Sequence, residues 1–148
     1  MGGARRIEAR RWFQQATYDL KAAAWNMEGE YYDTCCFLAQ QASEKAAKSL
    51  LYYQGFRKKA LFTHSVVNLI ESLSSKNSEF LALQESAREL DLHYIPSRYP
   101  NGLPSGFPHR FYSRQTSENA LAAAEKIFAM IRAYYVERNE SEILSPED

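Results

Sequence analysis

The stretch CCFLAQQASEKAAKSLLYYQG, residues 35–55, sets the periodicity against which the rest of the chain is read. Its apolar positions Cys35, Leu38, Ala39, Ala42, Ala46, Leu50 and Tyr53 recur three and four apart, the spacing of one helix face rather than of a strand. The pattern reaches back to about Tyr31 and predicts a helix over 31–54. Glu44 and Lys48 stand one turn apart with the acid first, an order that adds about 0.2–0.5 kcal/mol to a helix. Gly55 closes the run, as glycine commonly does just past a helix end. Ala42, Ala46 and Ala47 would let a neighbouring helix, or a second subunit, approach closely.

The same period extends to both sides. Trp12, Phe13, Ala16, Leu20, Ala23 and Met27 predict a helix over 8–28, with Arg10, Gln14, Asp19 and Lys21 on its other side. Beyond the connection FRKKALF, Val66, Val67, Leu69, Ile70 and Leu73 predict a third helix with Thr63 as its N-cap. A fourth is expected over 79–93, carrying Phe80, Leu81, Leu83, Ala87, Leu90 and Leu92. A last helix, capped by Thr116 or Ser117, holds Ala120, Leu121, Ala124, Ile127, Phe128, Ile131 and Tyr135. No segment alternates with period two. The expected fold is all-α, an up-and-down four-helix bundle with a shorter fifth helix.

Length and composition bound the rest. A chain of 148 residues, 45% hydrophobic, suits a single packed domain over 1–148, with its core at about 8–138. The basic N-terminal end and the acidic end ESEILSPED read as frayed tails. Eighteen basic and eighteen acidic residues leave a formal net charge of zero, so any pull on nucleic acid must come from a local patch. Adjacent Cys35 and Cys36 point about 100° apart on a helix and suit a reducing cytosol better than a disulfide framework. That predicts a cytoplasmic protein, and no apolar run is long enough for a membrane span. The Glu-x-x-His repeats of a di-iron bundle, zinc-ligand spacings and a phosphate-cradling glycine loop are all missing, so no metal or cofactor is expected.

One segment departs from helical spacing. HYIPSRYPNGLPSGFPHRFYSR, residues 93–114, holds four of the five prolines and no acidic residue. Its prolines stop the fourth helix and delay the last one. It reads as a fixed strap packed by Tyr94, Tyr99 and Phe107, with the charge of Arg98 facing outward.

Four motifs then appear in order: ATYDLKAA, FLAQQASEKAAK, Thr63-His64-Ser65 and Arg98-Tyr99-Pro100. Together, over about residues 9–136, the chain resembles the HEPN family of nucleotide-binding domains. The resemblance implies a helical domain that pairs as a homodimer and binds a purine nucleotide or RNA. It also implies action beside a nucleotidyltransferase partner or within a toxin–antitoxin or defence system. A ribonuclease branch of the family carries Arg, four to six residues, then His. Arg57 and His64 match that count, although Lys58 follows the arginine, so a metal-independent endoribonuclease is the alternative. A purely structural dimerisation module is the remaining one.

The candidate ligand contacts follow. Arg98 can bind phosphate through its fork while Tyr99 stacks on a base, or Arg98 ties the strap to a helix carboxylate while Tyr99 enters the core. His64 is either a polar group bonded at a helix start or a phosphate contact there, and Arg57 adds charge beside it. Lys48 is either a solvated partner of Glu44 or meets ligand. His109 and Arg110 complete the set from a part of the strap that the family motif does not fix.

Overall fold

In the computed structural model, which describes residues 3–146, helix α1 spans Gly3–Glu28 and turns back into α2, Tyr32–Gln54. Helices α3 (Lys58–Leu61) and α4 (Val66–Ser74) follow, then a 3-10 helix over Ser78–Leu83 that runs into α5, Gln84–Asp91. The strap holds a 3-10 turn at Pro100–Gly102 and the single turn α6, Pro108–Phe111, before the long α7, Arg114–Glu137. A last 3-10 turn, Ser141–Leu144, lies against α1. Among the described residues there is no strand, and no helix is long and apolar enough to cross a membrane.

Small residues draw the helices together. Ala9, Ala16 and Ala23 are fully buried at seven-residue spacing on α1, facing a surface of α2 in which Ala39, Ala42, Ala46 and Ala47 are also buried. Larger groups fill the space that α7 closes. Phe13 lies 5.6 Å from Phe128 and meets Tyr135 edge-on at 6.3 Å. Ser49, fully buried, donates to the Ala9 carbonyl at 2.6 Å and shares a 2.9 Å hydrogen bond with the Tyr135 hydroxyl, so one side chain links α1, α2 and α7. Cys35 and Cys36 are buried free thiols, and burial pushes Cys36 up to about 12, which makes it a packing group rather than a nucleophile.

Helix ends explain several charges. The carbonyls left over at the C-termini of α2 and α7 need donors. Lys76 Nζ donates to the Gln54 carbonyl at 3.2 Å, and Arg138 donates to the Tyr134 carbonyl at 3.3 Å. Gly55 adopts φ +78° and lets the Arg5 guanidinium settle where a Cβ would stand. Such cations also suit the negative end of a helix dipole.

The boundaries differ from expectation at definable points. Helix α1 begins at Gly3, and its basic start is engaged rather than free, since Arg6 pairs with Glu140 at 2.7 Å. The acidic end likewise packs, burying Ile143. Ser65, not Thr63, caps α4 by accepting from the Asn68 amide; Thr63 instead accepts from the Ser65 amide. Ser113, not Thr116 or Ser117, caps α7, and Ser117 is buried with its hydroxyl on the Tyr32 carbonyl. The expected helix over 79–93 opens as 3-10 because Phe80 and Leu83, three apart, eclipse and bury together on that helix. Leu81 and Leu92 are left exposed.

Tyr99, 49% exposed, and Phe107, 51% exposed, do not hold the strap down. Within the strap, buried His93 bonds the Tyr112 hydroxyl at 3.1 Å and buried Ser97 donates to the His93 carbonyl; across to the bundle, His109 bonds Asp33 at 2.9 Å and Tyr94, as expected, packs on Phe37 at 6.4 Å.

Candidate functional site

One face of α2 organises the site. Residues 37, 41, 44 and 48 fall three or four apart, and the strap and the start of α4 close over this stripe. Its inner layer is polar and satisfied. Gln40, fully buried, donates to the His64 carbonyl at 2.8 Å, while Gln41 donates to Gln40 Oε1 at 2.8 Å. Asp91, at the end of α5, takes the Val66 amide at 2.8 Å, the Val67 amide at 3.0 Å and the Ser65 hydroxyl at 2.7 Å. The N-terminus of α4 is therefore filled by the protein's own carboxylate.

Lys48 and Glu44 form a buried ion pair, 5% and 4% exposed, with Nζ to Oε2 at 3.0 Å. The Lys48 ammonium also lies 5.6 Å from the Trp12 ring centre. Lys48 is thus paired with Glu44, but as a buried pair and not the solvated one expected. Glu44 Oε2 reaches 3.5 Å from His64 Nδ1, and the exposed imidazole lies nearly flat on Tyr94, 5.4 Å away at 15°.

Arg98 stands at the outer edge of this row. Its Nε donates to the Tyr94 carbonyl at 2.9 Å, which fixes the plane of the guanidinium. Three rings surround that plane: Phe37 at 4.3 Å, Tyr99 at 4.8 Å and Tyr94 at 4.9 Å. Each contact is a cation–π arrangement. Among the described residues no carboxylate comes within ion-pair distance of Arg98. The tie to a helix carboxylate is not formed. A guanidinium held flat by rings, with its terminal N–H groups unpaired among the described residues, is suited to a phosphate or carboxylate ligand.

Arg98, Tyr99, His64 and Lys48 therefore belong to one chain of contacts, through Tyr94 and Glu44. Arg57, His109 and Arg110 do not. Arg57 is exposed at the start of α3, and among the described residues it makes no hydrogen bond with His64. His109 faces Asp33 and Tyr31, and Arg110 is exposed on α6. Sequence reasoning does not reach Phe37, Gln40 and Asp91 as site residues. Polar Gln40 and Gln41, adjacent within an apolar run, are the signal that points toward them.

The HEPN domain model matches residues 9–134. The fold is similar to that of TT1696 from Thermus thermophilus, at 36% identity and TM-score 0.79, covering 85% of this chain and 97% of that one. It is also similar to ST0689, an archaeal HEPN homologue, at 32% identity and TM-score 0.71 over 86% and 97% of the two chains. A third likeness is to a HEPN domain protein of Thermotoga maritima, tm0613, at 32% identity and TM-score 0.68 over 85% and 98%. In sequence the chain is 25% identical to "Putative toxin MJ1304" of Methanocaldococcus jannaschii over 88% of this chain and 90% of that protein. The matched model and these neighbours together make the chain a member of the HEPN family.

Proposed function

We propose that this chain is a nucleotide- or RNA-binding HEPN homodimer that does not itself cleave, and that it works in the cytoplasm with a nucleotidyltransferase partner or in a toxin–antitoxin system. The observation that carries the reading is Arg98, caged by Phe37, Tyr94 and Tyr99 and left without a carboxylate partner among the described residues. Guanidinium edges for phosphate beside an exposed tyrosine ring for a base are what a nucleotide needs. The likeness to a protein named as a toxin supports the toxin–antitoxin setting.

One placement supports the non-catalytic reading: Arg57, the arginine spaced for the ribonuclease motif, is exposed at the start of α3 and among the described residues makes no hydrogen bond with His64. A general base needs its imidazole within hydrogen-bond reach of the attacking hydroxyl, beside a cation on the phosphate.

Titration of the purified protein with ATP, GTP and short RNA tests the reading, with Arg98→Ala as control. Binding that weakens at least tenfold in Arg98→Ala, while the circular dichroism spectrum is kept, is the expected result. Absence of binding at millimolar ligand sinks it.

A further inference from the structure

Cations from three distant parts of the chain meet where α2 and α7 end. Arg5 of α1, Lys76 of the turn after α4 and Arg138 just past α7 line one pocket of about 290 Å³, together with Tyr53, Gln54 and Tyr134. Each cation is held by a neutral group. A Cβ on Gly55 would collide with the Arg5 guanidinium, so the glycine lets Arg5 lie against the end of α2. Lys76 Nζ donates to the Gln54 carbonyl at 3.2 Å and stands 4.8 Å from the Phe56 ring centre. Arg138 donates to the Tyr134 carbonyl at 3.3 Å, with its guanidinium 3.5 Å from the Tyr134 ring centre.

These contacts fix the cations without neutralising them. Among the described residues, Glu137 is the one carboxylate within ion-pair distance of any of the three, 4.0 Å from Arg138 and with its side chain 72% exposed. Glu140 is taken by Arg6 at 2.7 Å. The ends of α2 and α7 each contribute about half a negative charge, which still leaves the pocket positive. An ammonium and a guanidinium each carry several N–H groups, and Lys76 and Arg138 each give one to a carbonyl. Donors therefore remain for a ligand.

Gln54 adds an independent observation. Its Oε1 is buried and, among the described residues, has no hydrogen-bond partner. An acceptor left in that state is costly, and a ligand hydroxyl would satisfy it. The pocket thus calls for an anion that also donates a hydrogen bond. Hydrogen phosphate does both near neutral pH, because it keeps one P–OH. Sulfate has the charge without the proton, and a phosphate ester, whose second pKa is about 6, has lost its proton by then. The volume lies below the roughly 300–1,000 Å³ usual for drug-sized ligands, which suits a small ion better than a nucleotide.

We infer that this pocket is a site for free inorganic phosphate, held by Arg5, Lys76 and Arg138 with its P–OH donated to Gln54 Oε1. Gln54 follows Phe37 by 17 residues on α2, about 25 Å along the helix, so the site is separate from that of Arg98 and does not rest on its reading. Bound phosphate ties the start of α1 to the ends of α2 and α7, and so stabilises the folded chain.

The test titrates the wild-type chain with inorganic phosphate at constant ionic strength, following backbone amides by two-dimensional NMR. The Gly55, Asn77 and Arg138 amides should shift along one saturating isotherm, while those of Tyr94 and Tyr99 report any separate binding at Arg98. Sulfate and methyl phosphate should each bind this pocket about tenfold more weakly, the worth of one hydrogen bond to a buried acceptor. Gln54→Met keeps all three cations and should abolish the preference for phosphate over sulfate. Lys76→Met should weaken phosphate about tenfold. The Gln54→Met result decides the matter even if Lys76→Met loosens the end of α2. Shifts at Gly55 and Asn77 that stay linear in phosphate, or that sodium chloride reproduces at equal ionic strength, overturn the site. Sulfate or methyl phosphate binding as tightly as phosphate overturns its assignment to the free ion.

Discussion

Asp91 closes the start of α4 through Ser65: its carboxylate accepts the Ser65 hydroxyl at 2.7 Å, while Ser65 in turn accepts the Asn68 amide at 3.1 Å. Together with the Val66 and Val67 amides, this satisfies the leading donors of the helix from a neighbouring helix end. Removing the carboxylate leaves those donors without partners and loses charge-assisted bonds worth about 1.5–3 kcal/mol in total. Asp91→Ala should therefore lower the urea-unfolding free energy by about 2 kcal/mol, with Asp91→Asn intermediate. A change below about 0.5 kcal/mol would mean that water replaces the carboxylate at no cost.

Ser49 makes a sharper prediction, because its hydroxyl has two partners. Ser49→Ala leaves the Tyr135 hydroxyl without its partner in a core whose burial already pushes that phenol well above its ordinary pKa. An unsatisfied buried group costs about 1–3 kcal/mol. Tyr135→Phe alone should cost about 1 kcal/mol, and the double variant less than the sum of the two. Strict additivity in denaturant melts would show that the Ser49–Tyr135 bond carries no energy.

Both cases separate what local spacing encodes from what it does not. Helix identity, the buried faces of α1, α2 and α7, and the all-α class follow from apolar spacing, which is local. The Glu44–Lys48 pair follows from i,i+4 spacing for the same reason. Asp91 at the start of α4 and Arg98 against Phe37 are 26 and 61 residues apart in sequence from Ser65 and Phe37, and no local period encodes such contacts. Prolines mark the strap, but of its three expected aromatic anchors only Tyr94 packs, on Phe37 and His64. Tyr99 and Phe107 stay half-exposed, whereas buried His93 and Ser97 fold the strap on itself through polar contacts.

His93 gives the strap a pH dependence. Burial lowers its pKa below the ordinary 6.5. As pH falls through about 6.5 the unfolded chain takes up a proton that the folded chain resists, so stability falls with it until the folded histidine also protonates. Melts between pH 7.5 and 5 should show this decline, and His93→Gln should flatten it. The Arg6–Glu140 pair acts in another window. Its hydrogen bond depresses the Glu140 carboxyl below 4.5, so its contribution is lost only at more acidic pH. Equal slopes for wild type and His93→Gln over pH 7.5–5 would remove His93 from the account.

The Glu44–Lys48 pair separates stability from binding. Both side chains are buried, so Glu44→Gln leaves Lys48 without its carboxylate and should cost about 3–5 kcal/mol. Replacing both, as Glu44→Leu with Lys48→Met, removes two desolvation penalties along with the attraction and should be near neutral, within about 1 kcal/mol of wild type. Glu44 also faces His64, whose ring lies on Tyr94 beside Arg98, so the double variant keeps the fold while removing the charged pair behind the Arg98 site. If the pair serves only packing, the double variant binds short RNA as the wild type does. If it positions His64 for ligand, affinity for short RNA drops although the melting curve is unchanged. Anisotropy titration beside a urea melt on one preparation distinguishes the two, and the expected result is a stable protein with weakened RNA binding.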